Sequence, residues 1–234
     1  MIFFNFRHKK RHIILNQQIE SSAVSPRQKA EAIVKLLTWL DYDCPASEKE
    51  KAFQSLDHNV QSALEELWEK YYASPKSHGH WSGEPCDSVW IPDDDYTPPN
   101  KSYSNLHGLT WREIKRKHGF TGLRCTRGRF RFDEIALCKV SLPNFAELVT
   151  SSDREALHES AFAELARQLG KTIEDVKAIK ESANDHSPMG QKNLAWHEDI
   201  DCKTLYLVPQ EIHGNIIHFG GVAMCQLLKK HKLI

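Results

Sequence analysis

Apolar positions along the first third of the chain recur at helical spacing. Ala30, Ile33, Val34, Leu37 and Leu40 follow Ser25 and Pro26, an N-cap side chain and a proline at the first helical position, so a helix is expected to start there. Residues 41–45 break it. Ser47 and Glu50 then form a capping-box pattern, and Phe53, Leu56, Val60, Ala63, Leu64, Leu67, Trp68 and Tyr71 make one apolar stripe. Residues 1–75 are therefore expected to hold a helical hairpin whose stripe is core and carries no chemistry.

The pattern changes after residue 75. Pro75, Pro85, Pro92, Pro98 and Pro99, with the acidic run Asp93-Asp94-Asp95, argue against a regular helix or a central strand, and residues 76–105 read as a long connecting loop and a domain boundary. Trp81, Trp90 and Tyr96 imply that this loop packs against something. Residues 109–118 suit a short basic helix, 119–128 are turn-rich, and 130–142 alternate well enough for one or two strands. A helix is expected over 152–170, capped by Ser151 or Ser152 and ended by Gly170. Another begins at Thr172 with Asp175 as an acidic capping-box partner, and 184–191 read as a loop. The last part reads as strand (194–197), turn (199–203), strand (204–208) and then a helix opened by Pro209. The fold class expected is α+β, a mainly helical N-terminal region followed by a strand-turn-strand-helix domain over 106–234.

Composition narrows the class. The chain has 234 residues, 40% hydrophobic and 26% charged, which is ordinary for one large or two small globular domains. No apolar run reaches the roughly 18–20 residues that span a bilayer, so no membrane partner is expected. Ile2, Phe3, Phe4 and Phe6 are mixed with Arg7, Lys9, Lys10 and Arg11, which is not the order of a signal peptide. A cytoplasmic location, or delivery into target cells by a non-classical route, is the expectation. No two of the six cysteines are spaced as CxxC, and they read as reduced thiols. His78, His80 and Cys86 sit in a Gly/Ser/Pro-rich stretch and read as solvated.

Net charge is zero but unevenly spread. Arg112, Lys115, Arg116, Lys117, Arg124, Arg127, Arg129 and Arg131 crowd one stretch opposed locally by Glu113. Such an excess suits a polyanion-binding surface; a solvated helix face with an exposed strand is the equal alternative.

The chemistry-bearing residues lie near the end. His197 falls on the first strand of the last segment, and His213 and His218 at or beyond its helix. Phosphodiester hydrolysis needs a group that takes a proton near neutral pH and a divalent metal that stabilises charge on the phosphate and the leaving oxygen. Imidazoles suit a transition metal such as zinc, whereas magnesium prefers carboxylates and water. His213 and His218 are five apart and cannot share one helical face, so His218 must lie past a helix break.

Trp196-His197-Glu198, Leu207-Val208-Pro209, Ile212-His213 and His218-Phe219-Gly220-Gly221 together resemble WHH-type nucleases of the HNH/endonuclease VII superfamily. The resemblance extends more loosely to Arg129–Ala136 and to the helices of 153–182, covering about 106–228. It implies a ββα-metal nuclease domain with a helical insert, and a metal-dependent endonuclease acting on DNA, with RNA open. The metal it implies is a divalent ion: Zn, Mg, Mn or Ni. Related domains are common as bacterial toxin modules, which implies a role in interbacterial competition and an immunity protein as partner.

Two departures leave roles open. Many members carry two adjacent histidines, and here Glu198 holds the second place, so His197 is either the general base or a metal ligand with Glu198 or a nearby group taking the proton. A polar residue commonly precedes Leu-Val-Pro, and this chain has Tyr206 there, flanked by Leu205 and Leu207. Gly220 and Gly221 are expected to permit a tight turn, Asp199 and Asp201 to be turn residues, and Cys202 a turn or strand thiol. The alternative to an active nuclease is a catalytically decayed nucleic-acid- or partner-binding protein.

Overall fold

The computed structural model describes residues 15–71, 75–101, 104–149, 154–182 and 194–234. The fold is α+β. Helix α1 (Pro26–Thr38) starts as expected: Ser25 caps it, with a reciprocal bond to Gln28. Its last residues do not stop at Leu40 but widen into a π turn, Trp39–Asp43. The stripe that reads as one helix is two, α2 (Ala46–Gln54) and α3 (His58–Tyr71). Asp57 makes the break by accepting from the Asn59 amide at 2.8 Å, which starts α3 anew. The capping box expected at Ser47 does not form; Pro45 occupies the cap and α2 begins at Ala46.

Residues 76–105 are not a plain linker. They contain β1 (Gly79–Trp81) and β2 (Val89–Pro92), which pair with each other and, through β2, with β3 (Leu123–Thr126), itself paired to β4 (Arg129–Phe130) in a four-stranded antiparallel sheet. The prolines do not prevent this because Pro92 closes β2 and Pro85 lies in the connection between the strands. Helix α4 (Trp111–His118), capped by Thr110 and Glu113 and ended by left-handed Gly119, packs Trp111 and Ile114 into this half.

The second sheet has the order β5-β7-β6, with β5 (Cys138–Ser141), β6 (Leu194–Glu198) and β7 (Thr204–Pro209) all antiparallel. Between β5 and β6 the chain forms α5 (Phe145–Leu148), α6 (Glu155–Leu169) and α7 (Ile173–Ser182), the expected helical insert. Gly170 ends α6 in the left-handed region, and Thr172 and Asp175 bond reciprocally at the start of α7. α6 starts at Glu155 with Arg154, not Ser151 or Ser152, at its N-cap; those serines and the 184–191 loop lie outside the described residues. The chain closes with α8 (Gln210–His213) and α9 (Gly221–Lys230).

Two cores result, and they ignore the expected boundaries. Alternation along β7 sends Leu205 and Leu207 to one core and Tyr206 and Val208 to the other. The first core unites α1–α3 with the insert and α9, so the N-terminal helices share their interior with the C-terminal half. The second joins the four-stranded sheet and α4 to Val208, Ile212 and Ile216. No helix of the described residues is long and apolar enough to cross a membrane.

Glu66 on α3 ties the N-terminal helices to the chain's end, accepting from Lys70, Lys230 and His231 at 2.5, 2.7 and 3.0 Å. The Lys230 bond, then that of Lys70, holds its carboxyl at about 2. A carboxylate lowered on folding stabilises fully above its usual 4.5 and progressively less as pH falls towards about 2. Glu66→Gln is therefore expected to cost roughly 1 kcal/mol at neutral pH and less than half of that at pH ~3. Denaturant unfolding of both proteins at the two pH values checks this; an equal cost at both would contradict it.

Candidate metal centre

Strand alternation sets out the site. Leu194 and Trp196 of β6 face the first core, so His197 faces the second, opposite Tyr206 in register and stacked at 6.4 Å between centroids. Pro209 ends β7 and lets α8 start at once, which carries His213 back over His197. The helix stops at His213, and the following loop returns His218 to the same point. The helix break that the spacing demanded is present.

The three imidazoles converge. Each offers a nitrogen, and these atoms lie within 4.8 Å of one another; no other group of three or more His, Cys, Asp or Glu among the described residues is so arranged. His197 Nδ1 and His213 Nε2 are 3.3 Å apart. Two nitrogens each about 2.0–2.1 Å from a tetrahedral ion stand about 3.4 Å apart. His218 Nδ1–H donates to the Ile216 carbonyl at 2.8 Å, which fixes its tautomer and turns the other nitrogen inward as a ligand needs. The His197–His213 pair therefore stands at the separation of two ligands on one ion, and the chemistry of three imidazoles suits a borderline transition metal such as zinc. Phe132, in the turn after β4, walls all three rings, at centroid distances of 4.2, 5.4 and 4.7 Å. Burial, and then the neighbouring imidazoles, push His197 well below the usual histidine range. Burial dominates likewise for His213 and His218. All three are thus kept neutral, the form that ligates.

Glu198 lies one residue on and turns the other way, beside Trp196. Trp196 packs on Phe162 of α6, and one turn back along that helix His158 meets Glu198 at 3.2 Å. Arg154 approaches the same carboxylate at 3.5 Å. Glu198 is buried, yet it lines a cavity of about 440 Å³ shared with His213, His218 and Arg154. His197 sits behind them.

Asp199 is more than a turn residue: it is buried against Arg129, and burial raises its carboxyl despite that partner. Asp201 is a turn residue, accepting from the amides of Lys203 and Thr204 at 3.0 and 2.8 Å. Cys202 is a buried turn thiol. Gly220 and Gly221 do not serve a left-handed turn; Gly220 has an extended backbone. A Cβ on Gly221 would stand 2.2 Å from the Asp199 carbonyl oxygen, so these glycines let α9 press against the end of β6.

The expected basic surface is largely neutralised in space. Arg112 pairs with Asp95 at 2.7 Å, Lys115 with Asp94 at 2.8 Å, Arg124 with Glu134 at 3.0 Å, Arg127 with Asp43 at 3.1 Å and Arg131 with Asp133 at 2.6 Å. Arg116 stands exposed on α4. Of the set, Arg129 bears on the imidazoles: after burial and the neighbouring rings, its charge lowers the His197 pKa. Lys117 and His118 instead reach buried Glu211 of α8 at 2.9 and 2.5 Å, bracing the helix that carries His213. Arg154, His158, Glu211 and Phe132 were not singled out by spacing, because their roles depend on which helices and turns fold back onto the strand. His78 stacks on Tyr96 at 3.5 Å, away from any metal-binding group among the described residues.

Comparison with protein-family models, with curated proteins and with solved structures finds no match.

Proposed function

We propose that this chain is a metal-dependent endonuclease of the HNH kind, hydrolysing phosphodiester bonds in DNA. One observation carries the proposal: imidazoles from a strand, a helix end and the following loop converge within 4.8 Å beside a cavity that also receives a carboxylate and a guanidinium. His197, His213 and His218 would hold the ion, which when bound supplies electrostatic stabilisation of charge on the scissile phosphate and leaving oxygen. With His197 turned towards His213, the proton-accepting role falls to Glu198, at the cavity wall and oriented by His158 and Arg154. Neutral imidazoles, His197 buried and His213 and His218 half-buried at the cavity, leave the metal set ready without prior deprotonation. The family resemblance supports a toxin role with an immunity protein as partner.

Plasmid DNA and a structured RNA incubated with the protein and Zn²⁺, Mn²⁺, Mg²⁺ or Ni²⁺ test the reading. Nicking of DNA that EDTA abolishes is expected, with Glu198→Gln slower by about 10²–10⁴-fold. Metal binding with no cleavage of either polymer would overturn the enzymatic reading and leave a decayed binding protein.

A further inference from the structure

The cavity beside the imidazoles has a second wall, which the metal set does not use. Arg154, at the N-cap of α6, and Lys101 line it together with His213 and His218. Gly220, Val222 and Ala223 line it too, and they form the beginning of α9, a ten-residue helix with no side-chain cap. The first amides of a helix have no intrahelical acceptor and carry the positive end of its dipole. The glycine pair brings this helix end onto the carbonyls of Glu198 and Asp199, at the end of the metal-bearing strand. Lys101 is exposed and the Arg154 side chain is 54% exposed, so both cations can reach an incoming group. The opposing charge is Glu198, whose carboxylate Arg154 already faces.

We propose that Arg154, Lys101 and the first turn of α9 seat a phosphate group of the nucleic-acid substrate next to the trihistidine set. Neither cation belongs to the basic stretch between Arg112 and Arg131; one comes from the helical insert and the other from the segment before α4. A guanidinium offers paired donors to phosphate oxygens, and helix amides complete the shell. The second, independent pointer to a ligand is the trihistidine group, two of whose members, His213 and His218, line the same cavity, so an ion held by the three would lie beside the seated anion. The proposal rests on the phosphodiesterase reading for its ligand class. Arg154 and Lys101 are positioning residues and take no part in proton transfer.

Phosphorus NMR of inorganic phosphate with the Mn²⁺-loaded full chain tests it without requiring turnover. Saturable broadening is expected for the wild type. Arg154→Gln should weaken phosphate affinity by about tenfold or more, Arg154→Lys should restore part of it, and Lys101→Gln should cost a few-fold. Arg167→Gln, on the far end of α6, should change nothing, and Mn²⁺ affinity should stay the same in all. Short oligonucleotide affinity, measured in parallel, should fall with Arg154→Gln by a similar factor. Absent broadening in a metal-loaded wild type, or equal phosphate affinity in Arg154→Gln, overturns the seat while leaving the metal site standing. Arg154-dependent phosphate binding in a protein that cuts no nucleic acid keeps the seat and sinks the nuclease reading. A loss of phosphate binding with unchanged oligonucleotide affinity overturns nucleic acid as the source.

Discussion

Replacing His197, His213 or His218 by alanine is expected to lower metal-dependent cleavage by about 10³-fold or more. Groups that merely orient a metal ligand cost about 10–100-fold when lost, and a direct ligand must cost more. The set has no spare member: among the described residues these three alone form such a group. The polar residues nearby are committed elsewhere, Asp199 to Arg129 and Glu198 to His158 and Arg154. The fold should survive each change, because Phe132 and the strand register hold the surrounding frame. Initial rates on plasmid DNA, with circular dichroism for each variant, decide this. Near-normal cleavage by any one variant would remove that residue from the centre.

Gly221→Ala is expected to destabilise the protein by roughly 3 kcal/mol or more, lowering the melting temperature by about 6–12 °C for a chain of this size. The added Cβ would meet the Asp199 carbonyl oxygen at 2.2 Å, its carbon at 3.0 Å and the Phe145 ring at 3.1 Å. Two of these atoms are backbone in the turn that links the hairpin strands, and Phe145 is fully buried, so no flexible group can give way. Gly220→Ala, whose Cβ comes no nearer than 3.1 Å to the Glu198 carbonyl, should cost far less. Thermal unfolding of both variants beside the wild type tests the pair. A Gly221→Ala protein melting within a degree or two of the wild type would mean that α9 does not abut the end of β6.

The candidate site was legible in sequence where local rules control structure. The short strand read at 194–197 and the alternation in 204–208, with Pro209 after it, specified the hairpin and the helix start, and the five-residue spacing of His213 and His218 required the break at the end of α8. Ser25 with Pro26 marked a helix start and Gly170 a helix end for the same local reasons. Long-range packing was not legible. Proline density in 76–105 hid β1 and β2 because a strand tolerates proline at its end, and the pairing with β3 is visible only once the chain folds back. The basic run from Arg112 to Arg131 looked opposed by Glu113 alone because Asp43, Asp199 and the acids of 93–95 are distant in sequence or on another element. The domain boundary failed for a related reason: α1–α3 and α9 bury their apolar faces in one shared interior. The reason for Gly221 likewise lies in a contact with residue 199 and not in its own backbone angle.

Cobalt titration tests the central claim most directly. Co²⁺ added to the metal-free protein should bind at one ion per chain with the visible absorption of a nitrogen-rich site of low coordination number, and His213→Ala should weaken that binding by more than about 100-fold. Absence of saturable binding, or one-to-one binding that persists unchanged in a His197→Ala/His213→Ala variant, would contradict a metal centre built from His197, His213 and His218.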